Sequence, residues 1–315
     1  MSADAQIAAD TAMGAVTLNV ADLDGMTSYY RDGVGLAVLE QAGPRVVLGR
    51  AGRPVVVLEH SPGLHHASPG DAGLFHTAIL FDTQAALAAA VYSVARRRPG
   101  SFTGSSDHLV SKAFYFDDPE GNGVELYWDR DRTRWSWTHG QVEMGTLFLD
   151  PNAFLREHLD EHGLAGQAVG DARVGHVHLS VGDVATARDF YATSLGFDVT
   201  LSLGDQALFV SAGGYHHHLA MNVWRSRGAG RRQPTLGLGR LDIEVPSADD
   251  VGALTERLRH YRVPTRDDGR TVSFEDPWAN AVRLTATPAA PAAPAAPTND
   301  ATPATDATDA TDATT

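Results

Sequence analysis

The chain has 315 residues, with 39 acidic against 25 basic side chains and a formal net charge of −14, a balance that argues against nucleic acid as a partner. It contains no cysteine, which removes disulfides, thiolate-held zinc, iron–sulfur clusters and thiol nucleophiles, so any metal must be held by nitrogen and oxygen. Against that absence stand 14 histidines, three of them adjacent at His216, His217 and His218.

Residues 1–12 have neither the basic start nor the apolar run of a signal peptide and are expected to form a flexible N-terminus. No stretch approaches the roughly 18 apolar residues of a membrane helix; the expectation is a soluble, cytoplasmic protein without a membrane partner. From residue 13 the chain repeats itself. Four segments open with an alternating apolar strand, pass a helix-capping residue and continue into an amphipathic helix: AVTLNVADLDGMTSYYRDGVGL (15–36), HTAILFDTQAALAAAVYSVARR (76–97), HVHLSVGDVATARDFYATSLGF (176–197) and RLDIEVPSADDVGALTERLRHY (240–261). Each is followed by short strands separated by Gly, Asp and Pro turns, which makes four βαβββ modules. Modules 1 and 2 occupy 13–133 and modules 3 and 4 occupy 173–287. The linker between, 134–172, contains Asp150-Pro151 as an N-cap and first-turn pair ahead of NAFLREHLDEHGL, which predicts a helix there. The last segment, 288–315, is built from Pro, Ala, Thr and Asp with a single Asn; it has too little apolar surface to offset chain entropy and is expected to be disordered.

Two turns sharpen the repeat. FDDPEGNGVEL (116–126) and FEDPWANAVRL (274–284) end modules 2 and 4 and bring Glu125 and Arg283 into one column. These modules, the opening HVHLSVGD and the DPEGNGVE turn resemble the vicinal oxygen chelate superfamily, which includes glyoxalases, bleomycin-resistance proteins and extradiol dioxygenases. SAGGYHHHLAMNVW is similar to a segment of its bacterial catechol 2,3-dioxygenase branch. The resemblance covers about residues 13–286. It implies an α+β fold in which the four modules form two open barrel-like sheets with flanking helices.

The family takes metal ligands from the first and last strands of its modules. Aligning the first strands places Ala15, His76, His176 and Arg240 in one column. Only modules 2 and 3 therefore supply ligand-type side chains, and the resemblance implies a metal held by His76, His176 and Glu125. Taken singly, a histidine that begins a strand, as His76 and His176 do in this reading, is more often a packed, hydrogen-bonded side chain than a ligand, and Glu125, alternating with Val124 and Leu126, could simply face solvent. Taken together they make a two-histidine, one-carboxylate set suited to Fe(II), with Mn(II) also compatible. Module 4 has arginines in both ligand columns. The triad is complete only if module 2 pairs with module 3, leaving modules 1 and 4 to form a metal-free barrel.

By the same resemblance Tyr115, ten residues before Glu125, would hydrogen-bond a catechol oxygen, and His217, matched through Leu219-Ala220, would be the catalytic acid and base. Strand alternation would turn His216 and His218 to the opposite face. His178, on the same strand face as His176, is a candidate substrate-lining residue or a packed histidine. His108 is a candidate for approaching substrate or a surface-loop residue. The function implied is extradiol cleavage of a catechol, inserting both atoms of O2 at a non-heme Fe(II), with a possible homo-oligomer. The alternatives are a metal-dependent glyoxalase-like isomerase and a non-catalytic small-molecule binding protein of the bleomycin-resistance type.

Overall fold

The computed structural model describes residues 6–287; the tail expected to be disordered lies outside them. Module 1 comprises β1 (Ala12–Val20), α1 (Leu23–Ser28), β2 (Ala37–Ala42), β3 (Arg45–Arg50) and β4 (Arg53–His60). Module 2 comprises β5 (Gly73–Phe81), α2 (Gln84–Arg97), β6 (Phe102–Asp107), β7 (Ser111–Asp117) and β8 (Gly123–Asp129). The linker holds a small hairpin, β9 (Trp137–Thr138) and β10 (Gln141–Val142), then α3 (Pro151–His158) and α4 (Glu161–Leu164). Module 3 comprises β11 (Ala172–Ser180), α5 (Val184–Arg188), β12 (Asp198–Leu203), β13 (Ala207–Ser211) and β14 (Leu219–Asn222). Module 4 comprises β15 (Gly237–Val245), α6 (Ala248–His260), β16 (Thr265–Asp267), β17 (Thr271–Glu275) and β18 (Ala281–Ala286).

One local rule starts all four module helices. Seven residues after each column position, a short oxygen-bearing side chain accepts a hydrogen bond from the first helical turn: Asp22 from Gly25 N, Thr83 from Ala86 N, Asp183 from Thr186 N and Ser247 from Asp250 N. Such a cap satisfies a donor that the helix itself leaves unpaired.

The strands form two eight-stranded sheets, ordered β16-β17-β18-β15-β1-β4-β3-β2 and β12-β13-β14-β11-β5-β8-β7-β6. The first joins modules 4 and 1 through antiparallel β15 and β1; the second joins modules 3 and 2 through antiparallel β11 and β5. The exchanged pairing expected from the ligand columns is thus the pairing found, and His76 and His176 share a sheet. The two sheets meet across one continuous apolar core to which Val16, Leu18, Val177 and Leu179 all belong.

Sequence neighbours stay coupled across the sheets. Tyr30 of module 1 donates to Asp118 of module 2 at 3.0 Å, and Tyr191 of module 3 donates to Asp276 of module 4 at 2.8 Å. These aspartates belong to the two repeated turns. Asp118 also accepts from the Glu120 and Asn122 amides and the Asn122 side chain, and Asp276 accepts from the Trp278 and Asn280 amides and the Asn280 side chain. The Asp-Pro-x-x-Asn spacing is what lets one carboxylate close the turn and still receive a buried tyrosine.

Four local expectations need correction. Residues 6–12 fall within the segment expected to be flexible, yet Ile7 is buried and its N–H donates to Gly196 O at 3.0 Å. The linker helix is two helices, because Leu159 leaves helical geometry (ψ 112°) and Asp160 caps a new turn by accepting from Gly163 N. His76 and His176 lie three and four residues inside their strands rather than at the start. The His216–His218 triplet precedes β14 in irregular backbone, so strand alternation does not govern it.

Candidate metal centre

The site is built on one row of residues across the module 2–3 sheet. His176 on β11 pairs with Ala78 on β5, Ala78 pairs with Glu125 on β8, and Glu125 pairs with Tyr115 on β7. His76 stands two residues from Ala78 and pairs with His178. Ala78 is fully buried and small, which leaves room above it for the imidazoles and carboxylate of its neighbours. The register shifts between Val174 and His176, a bulge that re-aims the histidine. Gly175 makes it possible, since a Cβ there would lie 1.7 Å from the Tyr127 hydroxyl.

His76, Glu125 and His176 are 7%, 3% and 2% exposed, and each offers a ligand atom within 4.8 Å of the others. His176 Nε2 lies 3.2 Å and His76 Nε2 2.9 Å from the same atom, Glu125 Oε2. The contact of His176 Nε2 with Glu125 Oε2 meets hydrogen-bond geometry, so His76 Nε2 is the orphan, a buried nitrogen beside the carboxylate with no aligned proton and no other partner. The donor set is the two-histidine, one-carboxylate type that suits a shared cation. Burial opposes ionisation of Glu125, but His176 and His76 outweigh it and hold the carboxyl well below its usual range. Burial pushes His176 down to about 4, so at neutral pH its nitrogens are neutral, as ligation requires.

Around these three lies a cavity of about 910 Å³, lined by Tyr115, His108, His178 and His217 among others. His217 packs on His176 with ring centroids 4.1 Å apart. Burial, followed by the neighbouring His176 and His216, pushes it well below the usual histidine range. His178 accepts from the Asn222 side-chain amide at 3.0 Å and packs against Phe75 and Trp224, forming an aromatic wall. Trp224 stands half-exposed at the rim, whereas Trp278 is buried core.

His108 is not a free loop residue. Its Nδ1 lies 2.6 Å from Gly145 O and its Nε2 2.7 Å from the Tyr115 hydroxyl. Donation from Nδ1 to the carbonyl leaves Nε2 as acceptor, so Tyr115 donates to His108 and its remaining lone pairs are available to the cavity. Burial and the facing Glu125 push the Tyr115 hydroxyl well above its usual range. Gly145 belongs to the linker, whose Leu147 exchanges two backbone hydrogen bonds with Asp107. The linker therefore closes the side of the cavity and seats His108.

A second group was not legible as a site. Tyr127, Asp129, Tyr215 and His216 form a hydrogen-bonded cluster behind His176 and His217. Strand parity carried part of the signal: residues 125, 127 and 129 share a face of β8. His216, expected to face away, instead touches both His217 and Asp129 because the backbone before β14 is irregular.

A family model described as the Glyoxalase/Bleomycin resistance protein/Dioxygenase superfamily matches residues 12–126 and 173–284. A catechol-2,3-dioxygenase of Bacillus subtilis is 32% identical over 277 residues, spanning 86% of this chain and 96% of the relative. A 3-methylcatechol 2,3-dioxygenase of Pseudomonas putida is 27% identical over 161 residues, 49% of this chain and 46% of the relative. Among solved structures, glyoxalase I from Zea mays superposes with a TM-score of 0.54 at 16% identity, covering 88% of this chain and 92% of that one, a likeness of fold alone.

Proposed function

The chain belongs to the glyoxalase/bleomycin resistance protein/dioxygenase superfamily, and from that premise we propose that it is an extradiol dioxygenase. In this reading a catechol and O2 combine into a ring-opened 2-hydroxymuconic semialdehyde, both oxygen atoms being retained. The observation that carries it is the convergence of His76, Glu125 and His176 with His217 and Tyr115 on a single cavity wall. A bound Fe(II), or Mn(II), held by those three side chains would leave open positions for both substrates and supply the path for electrons between them.

The chain's own residues supply the rest. Tyr115, anchored by its donation to His108, presents lone pairs that accept from a catechol hydroxyl. His217, buried and neutral, takes a proton from the other hydroxyl and returns it to the oxygen released as the ring opens. Phe75, His178 and Trp224 hold the aromatic ring by apolar contact. The burial of Glu125 and both histidines excludes bulk water from the reacting atoms.

The test is anaerobic loading of the full chain with Fe(II), followed by a panel of catechols and air. The reading expects one O2 consumed per catechol and a yellow ring-cleavage product. An iron-loaded protein with the three ligands intact that consumes no O2 with any catechol would overturn it and favour the isomerase or binding-protein alternative.

A further inference from the structure

His217 can act as a base toward a bound catechol only if the nitrogen facing the cavity carries a lone pair. The buried cluster behind it decides which nitrogen that is. Asp129 accepts on both carboxylate oxygens: Oδ2 lies 2.7 Å from the Tyr215 hydroxyl, and Oδ1 lies 2.9 Å from His216 Nε2. The Tyr215 proton is thereby committed, so Tyr127, 2.8 Å away, donates to Tyr215. His216 is fully buried and packed between the Tyr215 and Trp135 rings, with centroids at 4.1 and 5.2 Å. Its Nε2 therefore carries the hydrogen for Asp129, and its Nδ1 is left with a lone pair. That Nδ1 lies 2.7 Å from His217 Nδ1. Two facing lone pairs would repel, so His217 Nδ1 donates and His217 Nε2 is bare.

We propose that Asp129 and His216 are positioning residues that hold His217 in the Nδ1–H tautomer, presenting its Nε2 lone pair to the substrate hydroxyl. The cavity-facing nitrogen then accepts the proton as the catechol binds, while Asp129 stabilises the charge passed back through His216 without itself being protonated. The catalytic consequence rests on the dioxygenase reading; the tautomer assignment does not.

The test combines two readouts on the full-length chain. In histidine-15N-labelled protein loaded with Zn(II), a diamagnetic probe, NMR should show His217 protonated at Nδ1 and His216 at Nε2. Asp129→Asn can donate to His216 Nε2, which reverses both tautomers and protonates His217 Nε2. With Fe(II) and catechol the same variant should lose about 10²- to 10³-fold in kcat while KM and iron content change by less than threefold. Should Asp129→Asn fail to fold, His216→Asn, whose side-chain oxygen can still accept from His217, should keep kcat within about tenfold, and His216→Phe should show the full loss. His217 protonated at Nε2 in the unaltered chain, or a tautomer unmoved by Asp129→Asn, overturns the proposal. Equal losses in His216→Asn and His216→Phe also overturn it. An unaltered chain that turns over no catechol yet shows the stated tautomers refutes the dioxygenase reading alone.

Discussion

Where the module 2–3 sheet sets His176, His76 and Glu125, the module 1–4 sheet sets Ala15, Arg240 and Arg283; where the first has Ala78, the second has Asp242. Each arginine bonds one oxygen of Asp242: Arg240 Nε reaches Oδ1 at 2.8 Å, and Arg283 reaches Oδ2. One βαβββ frame thus solves one problem twice, namely how to bury polar groups at the centre of a curled sheet. In modules 1 and 4 the carboxylate sits centrally and is neutralised by two arginines, one on each oxygen, which leaves positive charge where the other sheet has imidazoles and a carboxylate. In modules 2 and 3 the centre is a methyl group, and the polar groups stand around it with one ligand-type atom of each of His76, Glu125 and His176 within 4.8 Å of the others. Every buried histidine among the described residues, six in all, belongs to modules 2 and 3.

The largest effect expected from this difference is on activity. On the dioxygenase reading, Glu125→Ala should lower iron occupancy and reduce ring cleavage at least about 10³-fold, equivalent to several kcal/mol of lost stabilisation. Asp242→Ala should leave iron content and turnover unchanged. A comparable loss of activity in both variants would break the comparison.

The module 1–4 cluster should instead show itself in stability. Asp242→Ala strands two arginines. Because those arginines are about a third exposed, the cost is about 2 kcal/mol rather than the larger penalty of a fully buried pair. Denaturant unfolding of the metal-free chain measures it.

Acid should act on the other sheet. Burial pushes His218 down to about 3 and His176 down to about 4. The unfolded chain takes up these protons near pH 6.5 and the folded chain only at lower pH, so stability present above pH 6.5 is lost as pH falls toward the folded values. His218→Gln should reduce the slope of unfolding free energy against pH between 6 and 4 by about one proton, roughly 1.4 kcal/mol per pH unit. An unchanged slope would contradict the burial of a neutral His218.

The smallest effect concerns what the two sheets share. Tyr30→Phe and Tyr191→Phe each remove one donor from a buried turn aspartate, and each should cost about 1 kcal/mol by thermal or denaturant unfolding. Strongly unequal costs would show that the two repeated turns are not equivalent.

The repeat was legible because module spacing, helix caps and the Asp-Pro turns are local in sequence, and the ligand columns followed from superposing them. Even the exchange of partners could be read, since His76 and Glu125 lack a third ligand unless β11 joins β5. Contacts made by backbone that departs from regular geometry were not legible. The His216–His218 triplet has the sequence pattern of a strand with alternating faces, whereas its irregular path puts His216 and His217 in contact. His108 looked like a loop residue because its partner, Gly145, lies 37 residues away in the linker. Asp129 lay on the right face of the right strand, but its meaning depends on His216 and Tyr215, 87 and 86 residues distant.

The two sheets differ in the proposal that the module 2–3 sheet binds metal and the module 1–4 sheet does not. The direct measurement is a crystal structure of the Fe(II)-loaded chain with anomalous data at the iron edge. The account predicts one peak per chain, bonded to His76 Nε2, His176 Nε2 and a Glu125 carboxylate oxygen, and none near Arg240 and Arg283. A peak elsewhere, or none in protein that retains iron in solution, would contradict it.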